Sequence, residues 1–236
     1  MTKRILLVGG GSGGHVYPLI AVAHALRQEA QRRGVTLELK ILGEGAILER
    51  AAQESQIPFQ RIMAGKLRRY VSPLVLLDFL KMPIGFLQSL WHVFWFMPDV
   101  IFAKGGYASV APSLVGRLYV IPLFIHESDS APGLSNRLLG GFARAIFVSF
   151  KSSAQHFKNQ NIIFSGNPVR KELFAADRST AFSFFQLDPN IKTLLVLGGS
   201  QGAKQINDII LSSLVVLTNP ERGYQKIGRA SCRERV

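Results

Sequence analysis

Arg4-Ile5-Leu6-Leu7-Val8-Gly9-Gly10-Gly11-Ser12-Gly13-Gly14-His15 joins an apolar run to a glycine-rich segment. Its apolar run suits a strand buried on both faces, and the glycines make a tight turn into the start of a helix. Working outward, short apolar runs at 36–42, 99–103, 121–126, 145–150 and 161–165 alternate with longer helical patterns. That alternation predicts an α/β domain with a parallel sheet flanked by helices. The opening theme returns at Thr193-Leu194-Leu195-Val196-Leu197-Gly198-Gly199-Ser200-Gln201-Gly202, which predicts that a second Rossmann-like unit begins there. Pro168 and the polar stretch Asp177-Arg178-Ser179-Thr180 mark the join. The expected organisation is an N-terminal domain over 1–167, a linker over 168–190 and the start of a second domain over 191–226.

The 236 residues suffice for one full domain and part of another, and 47% hydrophobic residues can bury a real core, which excludes a disordered or fibrous chain. The formal net charge of +13 leaves an anionic surface or nucleic acid as partners to weigh. A lone cysteine, Cys232, cannot make an internal disulfide, and the apolar run after Lys3-Arg4 is too short for a signal peptide. Both readings favour a cytoplasmic setting. Residues 227–236 show no periodicity and read as the translation of a sequencing adapter, so they are expected to stand outside the native protein.

Three glycine-rich turns and one polar turn follow predicted strands, on the side where open α/β sheets bind ligands. In the first, Gly13 and Gly14 open a helix, where backbone N–H groups suit a phosphate or a polar sugar. The added His15, and Lys40-Ile41-Leu42-Gly43 at the end of the second strand in place of an acidic residue, argue against a dinucleotide site. His15 is either a general base or a helix-N-terminal histidine bonded locally. The second turn is Lys104-Gly105-Gly106-Tyr107-Ala108-Ser109, and the third is His126-Glu127-Ser128-Asp129-Ser130-Ala131-Pro132-Gly133. There His126 and Glu127 are either catalytic or, the reading preferred here, organisers of the loop. The fourth is Gly198-Gly199-Ser200-Gln201-Gly202, where capping and pyrophosphate binding can coexist. No clustered His/Cys set and no Asp-x-Asp pair suggests a metal, and no cofactor is expected.

Residues 74–97 hold Phe79, Phe86, Trp91, Phe94, Trp95 and Phe96, with Lys66, Arg68, Arg69 and Lys81 before or among them. Asp78, Lys81, Pro83 and Gly85 interrupt it too often for a membrane-spanning helix. Region 66–97 is therefore read as a surface for an anionic membrane, against the alternative of a core helix with solvated charges. Nucleic acid is not expected as a partner, because no recognition module is present.

With these residues in hand, the chain resembles the MurG family of peptidoglycan glycosyltransferases. The carriers are Gly10-Gly11-Ser12-Gly13-Gly14-His15-Val16-Tyr17-Pro18, Gly105-Gly106-Tyr107, His126-Glu127 with Pro132-Gly133-Leu134-Ser135-Asn136-Arg137, Gly166-Asn167-Pro168-Val169-Arg170, and Gly198-Gly199-Ser200-Gln201-Gly202-Ala203. The resemblance implies a GT-B fold of two Rossmann-like domains, of which this chain holds one complete. It also implies inverting, metal-independent transfer of N-acetylglucosamine from UDP-N-acetylglucosamine to the C4 hydroxyl of undecaprenyl-linked muramyl-pentapeptide (lipid I), at the cytoplasmic face of the plasma membrane. His15 would be the base, and Gly13, Gly14, Gly105, Gly106 and Tyr107 would face the acceptor's pyrophosphate. Ser12, Gly14, Asp129, Arg170, Ser200 and Gln201 would lie on the donor side. Ser128-Asp129 stands where the family usually has Gln-Asn, and Ser12 where it has Thr. A chain ending near 226 is expected to lack the donor site's later motifs and to be inactive by itself. The alternatives are another GT-B enzyme acting on a glycolipid, and a non-catalytic acceptor-binding module.

Overall fold

The computed structural model describes residues 2–65, 74–158, 161–198, 204–213 and 224–229, and in it the opening stretch forms strand β1 (Thr2–Gly10) followed by helix α1 (Gly13–Arg32). The chain then alternates through β2 (Thr36–Glu44), α2 (Ala46–Glu54), β3 (Phe59–Arg61), α3 (Leu74–Phe96), β4 (Val100–Ala103), α4 (Val110–Leu118), β5 (Leu123–Glu127), α5 (Leu134–Gly140), β6 (Ala145–Val148) and β7 (Ile162–Phe164). These seven strands form one parallel sheet in the order β3-β2-β1-β4-β5-β6-β7. The strand order reverses between β1 and β4, which opens a crevice at their carboxyl ends.

Alternation along β1 shows how the sheet is buried on both faces. Leu6 and Val8 pack with Ile101, Val115, Ile125 and Ile146, while Leu7 packs with Val16, Leu19, Ile41 and Phe102. Helix α3 closes the first of these layers at very short range. A Cβ on Gly85 would lie 1.8 Å from the Met63 carbonyl oxygen, so only glycine lets the helix pass there. Gly85, Ser89 and Val93 form its buried stripe, and the Ser89 hydroxyl donates to the Gly85 carbonyl at 2.6 Å. The opposite face carries Ile84, Leu87, Trp91 and Trp95, the last two 63% and 65% exposed.

Residues 171–236 form a separate compact unit, distinct from 1–170. Strands β8 (Lys192–Leu197) and β9 (Tyr224–Arg229) pair in parallel, and the unit also holds helices α6 (Arg178–Phe184) and α7 (Lys204–Ser212). Neither helix buries a described residue, and Leu195 and Leu197 remain more than half exposed.

Two expectations need correction. The second strand runs on to Glu44, whose backbone pairs with Gly10, so an acidic residue does stand at its end. Ile227-Gly228-Arg229, expected to be irregular, pairs with Leu195-Val196-Leu197. Ladder pairing uses backbone groups that every sequence carries, so apolar periodicity is not required for it.

Candidate functional site

The loops after β1, β4 and β5 meet at the carboxyl edge of the sheet, and glycine makes the meeting possible. Gly106 has φ +81°, and a Cβ there would lie 2.5 Å from the Gly10 carbonyl oxygen. Gly105 has φ +93°, and its Cβ would fall within 3.0 Å of the Asn136 side-chain amide. The β4 loop is therefore seated against both the first glycine loop and α5. The Tyr107 ring lies beside Gly11, with its Cε1 3.6 Å from where a Cβ would be.

His15 is the third residue of α1, whose opening turn has no side-chain cap at Ser12. The Ser12 carbonyl accepts the His15 and Val16 N–H groups, which leaves the Gly13-Gly14 end of the helix as the anion-favouring position. The His15 Nδ1–H donates to the Lys104 carbonyl at 3.2 Å. A carbonyl only accepts, so this bond fixes the neutral Nδ1–H tautomer and makes Nε2 the lone-pair nitrogen. Among the described residues nothing bonds Nε2. Burial, and then the Lys104 charge, hold the His15 pKa below its ordinary value, against the opposing pull of the Lys104 carbonyl, Glu127 and Asp129. A neutral imidazole with an unpaired acceptor nitrogen can take a proton from a hydroxyl.

Glu127 is buried at the end of β5, and its carboxylate is spent on its own loop. It accepts from the Asp129 N–H at 2.9 Å, the Gly133 N–H at 3.2 Å and the Asn136 amide at 3.0 Å. His126 is also buried and donates Nε2–H to the Gly166 carbonyl at 2.9 Å. Its Nδ1 has no partner among the described residues, and burial pushes its pKa down to about 4. Both side chains are buried. Arg170, at the end of the first unit, lays its guanidinium over the Tyr17 ring of α1 at 4.8 Å.

Ser12, Gly13, Gly14, His15, Gly105, Gly106, Tyr107, His126, Glu127 and Asp129 thus share one edge of the first unit. Ser200 and Gln201 lie outside the described residues, as do Lys66, Arg68 and Arg69. Sequence reasoning quoted Lys104, Asn136 and Asn167 within motifs and Ser128 as a departure from the family pattern, but gave none of the four a part in the site. Lys104 is fully buried, and its ammonium donates to the Ser128 hydroxyl at 2.6 Å, which donates to Asn167 Oδ1 at 2.8 Å. The available signal was a lysine continuing the apolar run Val100-Ile101-Phe102-Ala103 into a glycine pair. Among the described residues no group of three or more His, Cys, Asp or Glu is placed to hold a metal ion.

The family model described as the glycosyltransferase family 28 N-terminal domain matches residues 5–148. A Bacillus anthracis protein named UDP-N-acetylglucosamine–N-acetylmuramyl-(pentapeptide) pyrophosphoryl-undecaprenol N-acetylglucosamine transferase 2 is 35% identical over 224 residues, covering 94% of this chain and 61% of its own length. The transferase of that name, without the numeral, from Treponema pallidum (strain Nichols) is 38% identical over 225 residues, 94% of this chain and 57% of its own length. The chain therefore spans about three-fifths of the relatives it matches. Acinetobacter baumannii MurG superposes with a TM-score of 0.65 at 18% identity, over 98% of this chain and 67% of that one. UDP-GlcNAc 2-epimerase from Neisseria meningitidis, bound to UDP-GlcNAc, gives a TM-score of 0.64 at 15% identity, over 97% of this chain and 65% of that one. At such identities these two establish a shared fold only.

Proposed function

Because this chain belongs to the family of glycosyltransferase family 28 N-terminal domains, we propose that residues 1–170 are the acceptor domain of a transferase acting on lipid I. In this reading N-acetylglucosamine passes from UDP-N-acetylglucosamine to the muramyl C4 hydroxyl. The bond from that oxygen to the anomeric carbon forms as the bond to UDP breaks, with inversion, and the hydroxyl proton goes to His15 Nε2. The observation that carries the reading is the His15 tautomer: Nδ1–H is committed to the Lys104 carbonyl, so Nε2 is held as an acceptor beside the Gly13-Gly14 turn. That turn and Gly105-Gly106-Tyr107 suit the acceptor's pyrophosphate, and Glu127 and His126 organise the surrounding loops. Arg170, with Ser12, Asp129, Ser200 and Gln201, is assigned to the donor side, residues 168–190 to a linker and 191–226 to the start of the donor domain.

The exposed stripe Leu87, Trp91, Trp95 is joined by Phe94, whose ring lies 6.4 Å from that of Tyr119, with Leu118 ending α4 beside Arg117 and Val120 just after it. A contiguous apolar patch beside a basic residue suits the interface of an anionic bilayer. No described helix is long and apolar enough to cross a membrane. The attachment proposed here is peripheral, at the cytoplasmic face.

Sedimentation with anionic vesicles, with and without the undecaprenyl-pyrophosphoryl-muramyl-pentapeptide, tests the assignment. Binding is expected to both and to be about tenfold tighter with the acceptor, a difference of about 1.4 kcal/mol. Replacing Trp91→Ser together with Trp95→Ser should weaken both by a similar factor. Equal binding to the two kinds of vesicle would contradict an acceptor site.

A further inference from the structure

We propose that Lys104 is a positioning residue for His15: its carbonyl fixes the imidazole as the Nδ1–H tautomer, and its buried ammonium holds that carbonyl in place by tying the β4 loop to Ser128 and Asn167. The proposal rests on the reading of His15 as the base, and it deepens that reading.

A lysine side chain with no exposed surface, at the end of an apolar strand, needs a structural reason, because removing an ammonium from water is costly unless it is hydrogen-bonded. Here the bond goes to Ser128 on the loop after β5, and Ser128 passes the connection to Asn167 near the end of the first unit. The loop that carries Ser128 is itself held rigid, since Glu127 accepts from Asp129, Gly133 and Asn136. Lys104 is thus anchored to a fixed frame through its side chain while its own carbonyl receives the His15 Nδ1–H. Its backbone N–H donates to the Val8 carbonyl at 2.9 Å, so the residue is also pinned to β1. One residue joins the loops after β1, β4 and β5, the three that form the site.

The charge acts in the same direction as the geometry. Lys104 disfavours protonation of His15 and of His126, while Glu127 and Asp129 oppose it at His15. Those two carboxylates also favour the charged lysine, whose pKa burial still brings down to about 8. Near neutral pH the cation therefore helps keep His15 in the unprotonated form that a base requires.

The experiment is long-range proton–nitrogen NMR on the 236-residue chain labelled at its five histidines. The wild-type chain should show His15 as the Nδ1–H tautomer, titrating below 6.5. Lys104→Met should raise the His15 pKa and mix the two tautomers. Ser128→Ala, which keeps the cation and removes its anchor, should mix the tautomers with a smaller pKa change. It decides the question if Lys104→Met does not fold. Unchanged tautomer and titration in a folded variant would overturn the proposal. This readout needs neither acceptor nor donor, so it stands apart from any failure of the assigned reaction. If a transferase carrying this domain proves active without His15, the base reading falls while the tautomer result remains.

Discussion

At the scale of single residues, the site is a compromise between burial and charge, and the compromise is visible in pH. His126 is buried neutral with a folded pKa near 4, so between 6.5 and 4 the unfolded chain binds more protons than the folded one. Stability from this group is complete above pH 6.5 and is lost as the pH falls towards 4, by up to about 3 kcal/mol. Lys104 works on the alkaline side. With a folded pKa near 8 against an ordinary 10.5, the unfolded state again holds more protons between those limits, so stability rises with pH there, by up to about 3 kcal/mol. Denaturant titrations across pH 4–10 should show both slopes. His126→Asn should flatten the acid slope, Lys104→Met the alkaline one, and slopes unchanged by either substitution would remove these groups as their cause. His15 drew attention in the sequence because it follows a glycine turn. Lys104 was not, because what distinguishes a buried lysine from a solvated one is its partners, and those lie 24 and 63 residues away, at Ser128 directly and at Asn167 through it.

At the scale of elements, α3 shows what periodicity alone leaves open. The aromatic run led to the expectation that region 66–97 meets an anionic membrane, but apolar residues stand all round the helix, so the sequence does not say which face turns inward. Contact geometry decides it, through Gly85 against Met63 and the Met63 N–H donating to Gln88 Oε1 at 2.7 Å. Gly85→Ala should force the helix off its seat and cost about 1–3 kcal/mol, measured by urea denaturation, whereas a loss under about 0.5 kcal/mol would show that the helix yields freely. The strands were legible where their apolar residues run on without a break, even in β7, three residues at one sheet edge that read Ile162-Ile163-Phe164. Strand β3, at the other edge, reads Phe59-Gln60-Arg61 and has one apolar residue to show. Strand β9 pairs through its backbone and carries no apolar alternation.

At the scale of the whole molecule, the order of strands puts the ends of β1, β4 and β5 side by side, and that placement turns separate glycine turns into one site. The turns and their sequence order were readable; their convergence follows from the crossover between β1 and β4, which no local pattern encodes. Residues 1–170 hold the buried core, while the described part of 171–236 is largely exposed, so the base and the acceptor side of the proposed reaction belong to the first unit. The most direct measurement joins residues 1–170 to the remainder of the Treponema pallidum relative and follows transfer of labelled N-acetylglucosamine from UDP-N-acetylglucosamine to lipid I. The account predicts transfer, with His15→Gln lowering turnover by about 10²–10⁴-fold and leaving the KM for the donor nearly unchanged. A folded chimera that binds the donor and leaves lipid I unmodified, or one in which His15→Gln turns over at the parent rate, would contradict it.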